Sequence, residues 1–187
     1  KFPFINVIER KPDDKNLSFG SSWLHQDTSY LANDRPRYTM LMGIEIPTGQ
    51  GNTIFSSGFK AYEKLPNKIK DKIKKATGIF SSAGPIAVTR LEREKEMGIV
   101  SSKSMEAEHP LVRAVNGKKT LYVSPGHLMK VKNVSKQDAD YLKNYLIEHV
   151  NKKEFIFSYE WTKGDICLWD NLSILHMASE IKNCRRI

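Results

Sequence analysis

Cysteine is nearly absent. Cys167 and Cys184 are too few for a disulfide framework, and their spacing fits no zinc ribbon. No apolar run approaches the roughly 18 residues that would cross a bilayer. The first residues, Lys1-Phe2-Pro3-Phe4, lack both a starting Met and the apolar stretch of a signal peptide. Internal repeats, low-complexity linkers and breaks in composition are also missing. Together these absences exclude a disulfide scaffold, a helical membrane protein and a repeat array. The expectation is one soluble, reduced, cytoplasmic domain over residues 1–187.

What is present is a core. Apolar residues make up 40% of the 187, enough to fold and too many for a disordered chain. The net charge of +9 invites a nucleic-acid reading. The lysines, however, are dispersed along a helical stretch (Lys68, Lys70, Lys72, Lys74, Lys75) and a turn (Lys118, Lys119), as solvated faces are. Neither a nucleic-acid nor a membrane partner is expected, and self-association stays open. A positive field does favour small anions, such as a dicarboxylate.

Periodicity predicts more strands than helices. Tyr38, Met40, Met42, Ile44 and Ile46 alternate with Thr39, Leu41, Gly43 and Glu45 as one strand with a strongly apolar face, and a turn follows at 47–51. Tyr62, Leu65, Ile69, Ile73 and Ala76 recur at helical spacing with Pro66 as a breaking point. A second helix starts at Ser135, with Asp138 completing a capping box, and buries Ala139, Leu142, Leu146 and Val150. Asn116-Gly117 turns into a strand at 120–123. Phe155, Phe157, Tyr159 and Trp161 alternate along another strand, and Lys163-Gly164-Asp165 turns it into a strand at 166–169. Strands arriving as hairpins predict an antiparallel sandwich or barrel with helices outside. The polar stretch 84–108 between core elements reads as a lid or a disordered insertion.

The first chemical signal is His25-Gln26-Asp27. On an extended chain, positions i and i+2 share a face, so an imidazole and a carboxylate stand side by side. With a second His they would form a facial triad, which leaves three coordination sites open on one side of Fe(II). An H-x-D alone is weak evidence.

The decisive stretch is Trp161, Gly164, Asp165, Trp169, Asp170 and Asn171, followed by His176. It resembles the W-x-x-G-D-x-x-x-W-D-N and distal His signature of the taurine dioxygenase family. Three more blocks occur in the family's order. Gly51-Asn52-Thr53 with Tyr62-Glu63 resembles its G-x-T motif and the following helix. His109-Pro110-Leu111-Val112-Arg113 with Gly117 to Val123 resembles its H-P-x-V-R stretch. Arg185-Arg186 resembles its basic C-terminal stretch.

The resemblance implies a mainly β double-stranded β-helix (jelly-roll) core with flanking helices. It also implies an oxidoreductase, a dioxygenase that couples O2 and 2-oxoglutarate to oxidation of a small organic substrate. His25, Asp27 and His176 would hold Fe(II), while Thr53 and Arg186 would hold 2-oxoglutarate, arginine offering paired donors to a carboxylate. Tyr122, Gln26 and Tyr30 fall at or beside positions that line the family's substrate pocket. Asp27 argues against halogenation, since halogenating relatives lose that carboxylate, and for hydroxylation or a desaturation or cleavage that starts with the same hydrogen abstraction.

There are departures. Leu24 separates Trp23 from His25, where the family reads W-H-x-D, and the family's main cosubstrate arginine is expected a few residues beyond Arg186. Relatives carry more sequence before the H-x-D, so segments missing at both ends are expected. His109, His127 and His149 have no ligand spacing and read as structural. The rival readings are a jelly-roll protein that binds a metal or small ligand without oxidation, and, ranked below it, a basic nucleic-acid module.

Overall fold

The computed structural model describes residues 5–9, 23–46, 48–87 and 103–179. In chain order come β1 (Tyr38–Met42), β2 (Thr53–Ser57), α1 (Gly58–Glu63), α2 (Asn67–Ile73), β3 (Thr77–Ser81), β4 (Glu106–Pro110), β5 (Val112–Val115) and β6 (Lys118–Leu121). They are followed by β7 (Leu128–Lys132), α3 (Lys136–Val150), a 3-10 turn (Lys153–Phe155), β8 (Ile156–Tyr159), β9 (Ile166–Asp170) and β10 (Ile174–Ala178).

Among the described residues every strand pair is antiparallel, and most join strands distant in sequence. β10, β2 and β8 form one sheet, with β2 in the centre, and β4, β3 and β7 form another around β3. β1 pairs with β9, and β5 with β6. Of the expected hairpins, only the one at Asn116-Gly117 pairs across its own turn, where φ of 50° and 76° suits a tight two-residue loop. β8 and β9 are not partners despite the turn between them: β8 joins β2, whereas β9 crosses over to β1.

β1 is shorter than the expected strand, and its apolar alternation faces outward. Tyr38, Met40 and Met42 are each more than half exposed. The reason lies on the opposite face, where Thr39 is committed to the carboxylate of Asp27 and turns that side toward the site. Similarly, Phe157 faces out on β8 while Phe155 and Trp161 at its flanks are buried.

The helical expectations hold. Pro66 lacks the N–H a helix needs, and the chain breaks there into α1 and α2. Ser135 caps α3: its Oγ accepts from Asp138 N at 3.1 Å, and it donates back to the Asp138 carboxylate at 2.7 Å. α3 packs on β7 and α1 and buries Leu142, Leu146 and Val150, with Ala139 only half-buried. These three join Ile73, Phe80 and Leu121 in one core cluster. Fully burying each such side chain contributes about 1.5–3 kcal/mol. Two polar ties hold α3 in place: Ser56 Oγ of β2 donates to Val150 O at 2.6 Å, and His149 Nε2 donates to Ala61 O of α1 at 2.8 Å.

The stretch 84–108 is narrower as an insertion than its polarity suggests. Glu106 to Glu108 belong to β4, where Glu108 pairs in register with Ile79. At the other end, Ile86 N donates to Gly126 O at 3.0 Å. Residues 88–102 lie outside the described residues, as does Pro47 of the turn expected at 47–51. Among the described residues, no helix is long and apolar enough to cross a membrane.

Candidate metal centre

His25 and His176 exchange both backbone hydrogen bonds, at 3.0 and 2.9 Å, as an isolated antiparallel bridge that adds His25 to the edge of β10. Directly opposed residues of such a pair point their side chains to the same face. The two imidazoles therefore leave the sheet together, with ring centroids 4.4 Å apart. Asp27, two residues on, shares that face. Its Oδ1 lies 3.6 Å from His25 Nε2 and 3.4 Å from His176 Nε2.

One ligand atom from each of the three residues lies within 4.8 Å of the others. Two donors about 2.1 Å from one ion stand at most about 4.2 Å apart, so both contacts of Asp27 are within reach of a shared divalent cation. The donor set of two imidazoles and one carboxylate suits Fe(II) in a facial arrangement with open sites.

Hydrogen bonds prepare the atoms for this. Trp23 O can only accept, so His25 Nδ1 donates to it at 2.8 Å, leaving the Nε2 lone pair facing Asp27. Asp27 Oδ2 accepts from Thr39 Oγ1 at 2.6 Å, and Thr39 accepts in turn from Asn171 Nδ2 at 2.7 Å. Asn171 Oδ1 accepts from Trp169 Nε1 at 3.2 Å and from Asp27 N at 3.4 Å. The W-D-N stretch thus reaches the site through its Asn.

Burial works to raise the pKa of Asp27, but the close approach of the His176 and His25 side chains and the hydrogen bond from Thr39 outweigh it and hold the carboxyl well below its usual range. Burial lowers the pKa of His176. An ionised carboxylate beside a neutral imidazole is the state in which both can coordinate.

A cavity of about 210 Å³ opens beside the triad, lined in part by His25, Asp27, Tyr30, Ser82, Ile86 and His127. Of the three residues expected at the substrate pocket, Tyr30 is on this wall, its ring edge-on to His127 at 5.0 Å. Gln26 is not: alternation turns it away from its two neighbours, and it is fully buried with both amide atoms unpartnered. Nor is Tyr122, which is 1% exposed and packs against Phe80 and His109 in the core. Chain parity near a pocket does not reveal which side of a strand opens onto it.

His127 was expected to be structural, but it is part of the cavity wall. Its Nδ1 lies 2.8 Å from Ser29 Oγ and 3.2 Å from Ser124 Oγ. No spacing in the sequence connects it to His25, because the turn before β7 and the His25 segment meet only in the fold.

Thr53 stands opposite Ala178 on β2, two residues from the Phe55–His176 pair, so it shares a face with His176. Its Oγ1 accepts from Trp161 Nε1 at 2.9 Å, which leaves its own hydrogen free to donate. Arg186 lies outside the described residues.

Residues 3–187 match the model of the taurine catabolism dioxygenase TauD, TfdA family. The chain belongs to this family.

Among curated TauD, TfdA relatives, an alkylsulfatase of Acinetobacter baylyi is 32% identical over 176 residues, 89% of this chain and 54% of that protein. An alpha-ketoglutarate-dependent sulfate ester dioxygenase of Pseudomonas putida is 29% identical, over 84% of this chain and 54% of that protein. The chain thus spans about half the length of the curated relatives it matches. The crystal structure of a taurine dioxygenase from Burkholderia xenovorans superposes with a TM-score of 0.68 at 27% identity, covering 84% of this chain and 51% of that one. The strand-rich antiparallel architecture is therefore the family's jelly roll, as the sequence resemblance implied.

Proposed function

We propose that the protein is an Fe(II)- and 2-oxoglutarate-dependent dioxygenase that hydroxylates a small organic anion and releases succinate and CO2. The observation that carries this reading is the triad of His25, Asp27 and His176 on one face beside an open cavity. The names of the relatives support it, since they include alpha-ketoglutarate-dependent dioxygenases for sulfate esters and for 2,4-dichlorophenoxyacetate.

In this reading the triad holds Fe(II) through His25 Nε2, His176 Nε2 and an oxygen of Asp27. Iron, O2 and 2-oxoglutarate supply the oxidising power, and the protein supplies position and exclusion of water. Thr39 keeps the Asp27 carboxylate in its rotamer. The free hydrogen of Thr53 donates to the far carboxylate of 2-oxoglutarate, and Arg186 pairs with the cosubstrate through its planar fork. Tyr30, Ser82 and His127 offer an aromatic face and polar donors to the substrate.

The test is succinate production by anaerobically purified full-length protein, given Fe(II), 2-oxoglutarate and then O2. An alkyl sulfate, an alkyl sulfonate and an aryloxyacetate serve as trial substrates. Succinate from the parent and none from His176→Ala is expected, with one substrate class raising the rate. Iron-loaded parent that makes no succinate with any of them would overturn the proposal.

A further inference from the structure

Two guanidinium groups meet where the described residues offer them no ion pair. Arg113, on β5, lies over the ring of Tyr122 at 4.3 Å from its centroid, and Arg35, in the loop that follows Asp27, approaches the same ring at 6.0 Å. His109 stands edge-on to Tyr122 at 5.6 Å. Its Nε2 donates to Leu31 O at 2.9 Å, and Arg35 Nη1 lies against both ring nitrogens, 2.7 Å from Nδ1 and 2.5 Å from Nε2. Burial and the two neighbouring guanidinium charges keep this histidine neutral, so it removes no charge from the arginines.

Neither arginine forms an ion pair among the described residues. Arg113 makes no hydrogen bond to any of them, and its Nε–H is buried without an acceptor. Arg35 spends Nη1 on Leu31 O and His109, and its Nε–H is also buried and unpaired. Stacking on Tyr122 offsets part of the desolvation, by about 0.5–2 kcal/mol. The ring supplies no carboxylate or carbonyl oxygen for the remaining N–H donors, however. Both residues are half-buried, and their buried Nε–H groups are of the kind otherwise found paired. The carboxylate of Asp27 is held by Thr39 and the two triad histidines.

We propose that Arg35 and Arg113 form an oxyanion site apart from the metal centre, taking a sulfate, phosphate or carboxylate group into their unpaired N–H donors. Neither residue lines the cavity beside the triad. The planar forks suit bidentate recognition of such groups. The occupant also braces the turn that carries Asp27 and Tyr30, because Arg35 and His109 both hold Leu31 O.

The test is calorimetric titration of the full-length protein with sodium sulfate, sodium phosphate and sodium succinate at constant ionic strength, with chloride as the reference. Inorganic and organic oxyanions are thereby separated. At least one should bind saturably at a single site in the parent and equally in His176→Ala, which has lost a metal ligand. Arg113→Gln should weaken that binding about tenfold or more, which is ~1.4 kcal/mol. Arg113→Lys, which keeps the charge and loses the fork, should weaken it several-fold. Circular dichroism checks that each variant is folded, and Arg35→Gln carries the test if Arg113→Gln is not. Removing one charge from a chain of net +9 would barely change diffuse attraction, so equal affinities in parent and both Gln variants would overturn the site. So would the absence of saturable binding by all three anions, or binding that disappears in His176→Ala.

Discussion

The hydroxyl of Thr39 donates to Asp27 Oδ2 across 2.6 Å while accepting from Asn171, so β1 and the turn after β9 jointly hold one carboxylate. In the proposed iron site that contact selects which oxygen is left for the metal. Thr39→Val should weaken binding of Fe(II), or of Mn(II) as a redox-silent probe, by about 10–100-fold. Thr39→Ser should restore most of it. Anaerobic metal titration gives both numbers without turnover, and parent-like affinity in Thr39→Val would remove Thr39 from the positioning network.

Thr53 has two tasks in the proposed site, and they can be separated. Thr53→Ala leaves the buried indole N–H of Trp161 without its acceptor, at a cost of about 1–3 kcal/mol in unfolding free energy. It also removes the donor to 2-oxoglutarate, so KM for the cosubstrate should rise more than kcat falls. Trp161→Phe should share part of the stability loss and leave that KM nearly unchanged. A KM unaffected in Thr53→Ala would assign the residue to structure alone.

Gly58 starts α1 at a point of close approach. A Cβ there would stand 2.5 Å from Thr120 Oγ1, 2.7 Å from Leu121 O and 2.8 Å from Ser173 O. Two of these are backbone atoms of other strands and turns, which cannot swing aside. Gly58→Ala should therefore cost about 1–3 kcal/mol in chemical denaturation, although alanine is the better helix former. An unchanged midpoint would mean that α1 slides freely on β6.

His109 predicts a pH dependence of stability. Burial, followed by the charges of Arg35 and Arg113, pushes its pKa down from 6.5 to about 4. Between those values the unfolded chain binds more protons than the folded one, so stability rises with pH through this window. The contribution is complete above about pH 6.5 and is lost as pH falls toward about 4. It is on the order of 3 kcal/mol. Unfolding free energies of the parent and His109→Gln, measured at pH 7 and pH 4.5, should differ in slope, with the variant flatter. Equal slopes would show that His109 is solvated enough to titrate normally.

The pattern of this chain by itself determined its helices and the Asn116-Gly117 hairpin, and its resemblance to the family pointed to the three residues proposed for the metal. Helix α3 was legible because its cap and its apolar period are local signals, and so was the break at Pro66, which follows from a missing N–H. His25 and Asp27 were legible because two-residue spacing puts side chains on one face. His176 entered through its place after the W-D-N stretch. Only the tertiary structure decided which strands pair. A jelly roll crosses over between distant strands, so β9 leaves its neighbour β8 for β1, and no local rule records that choice. The same crossovers decided that the apolar face of β1 looks outward, that Tyr122 and Gln26 are buried away from the cavity, and that His127 stands in its wall. Those outcomes depend on which face of one strand another strand covers, a property of the pair that neither segment carries alone.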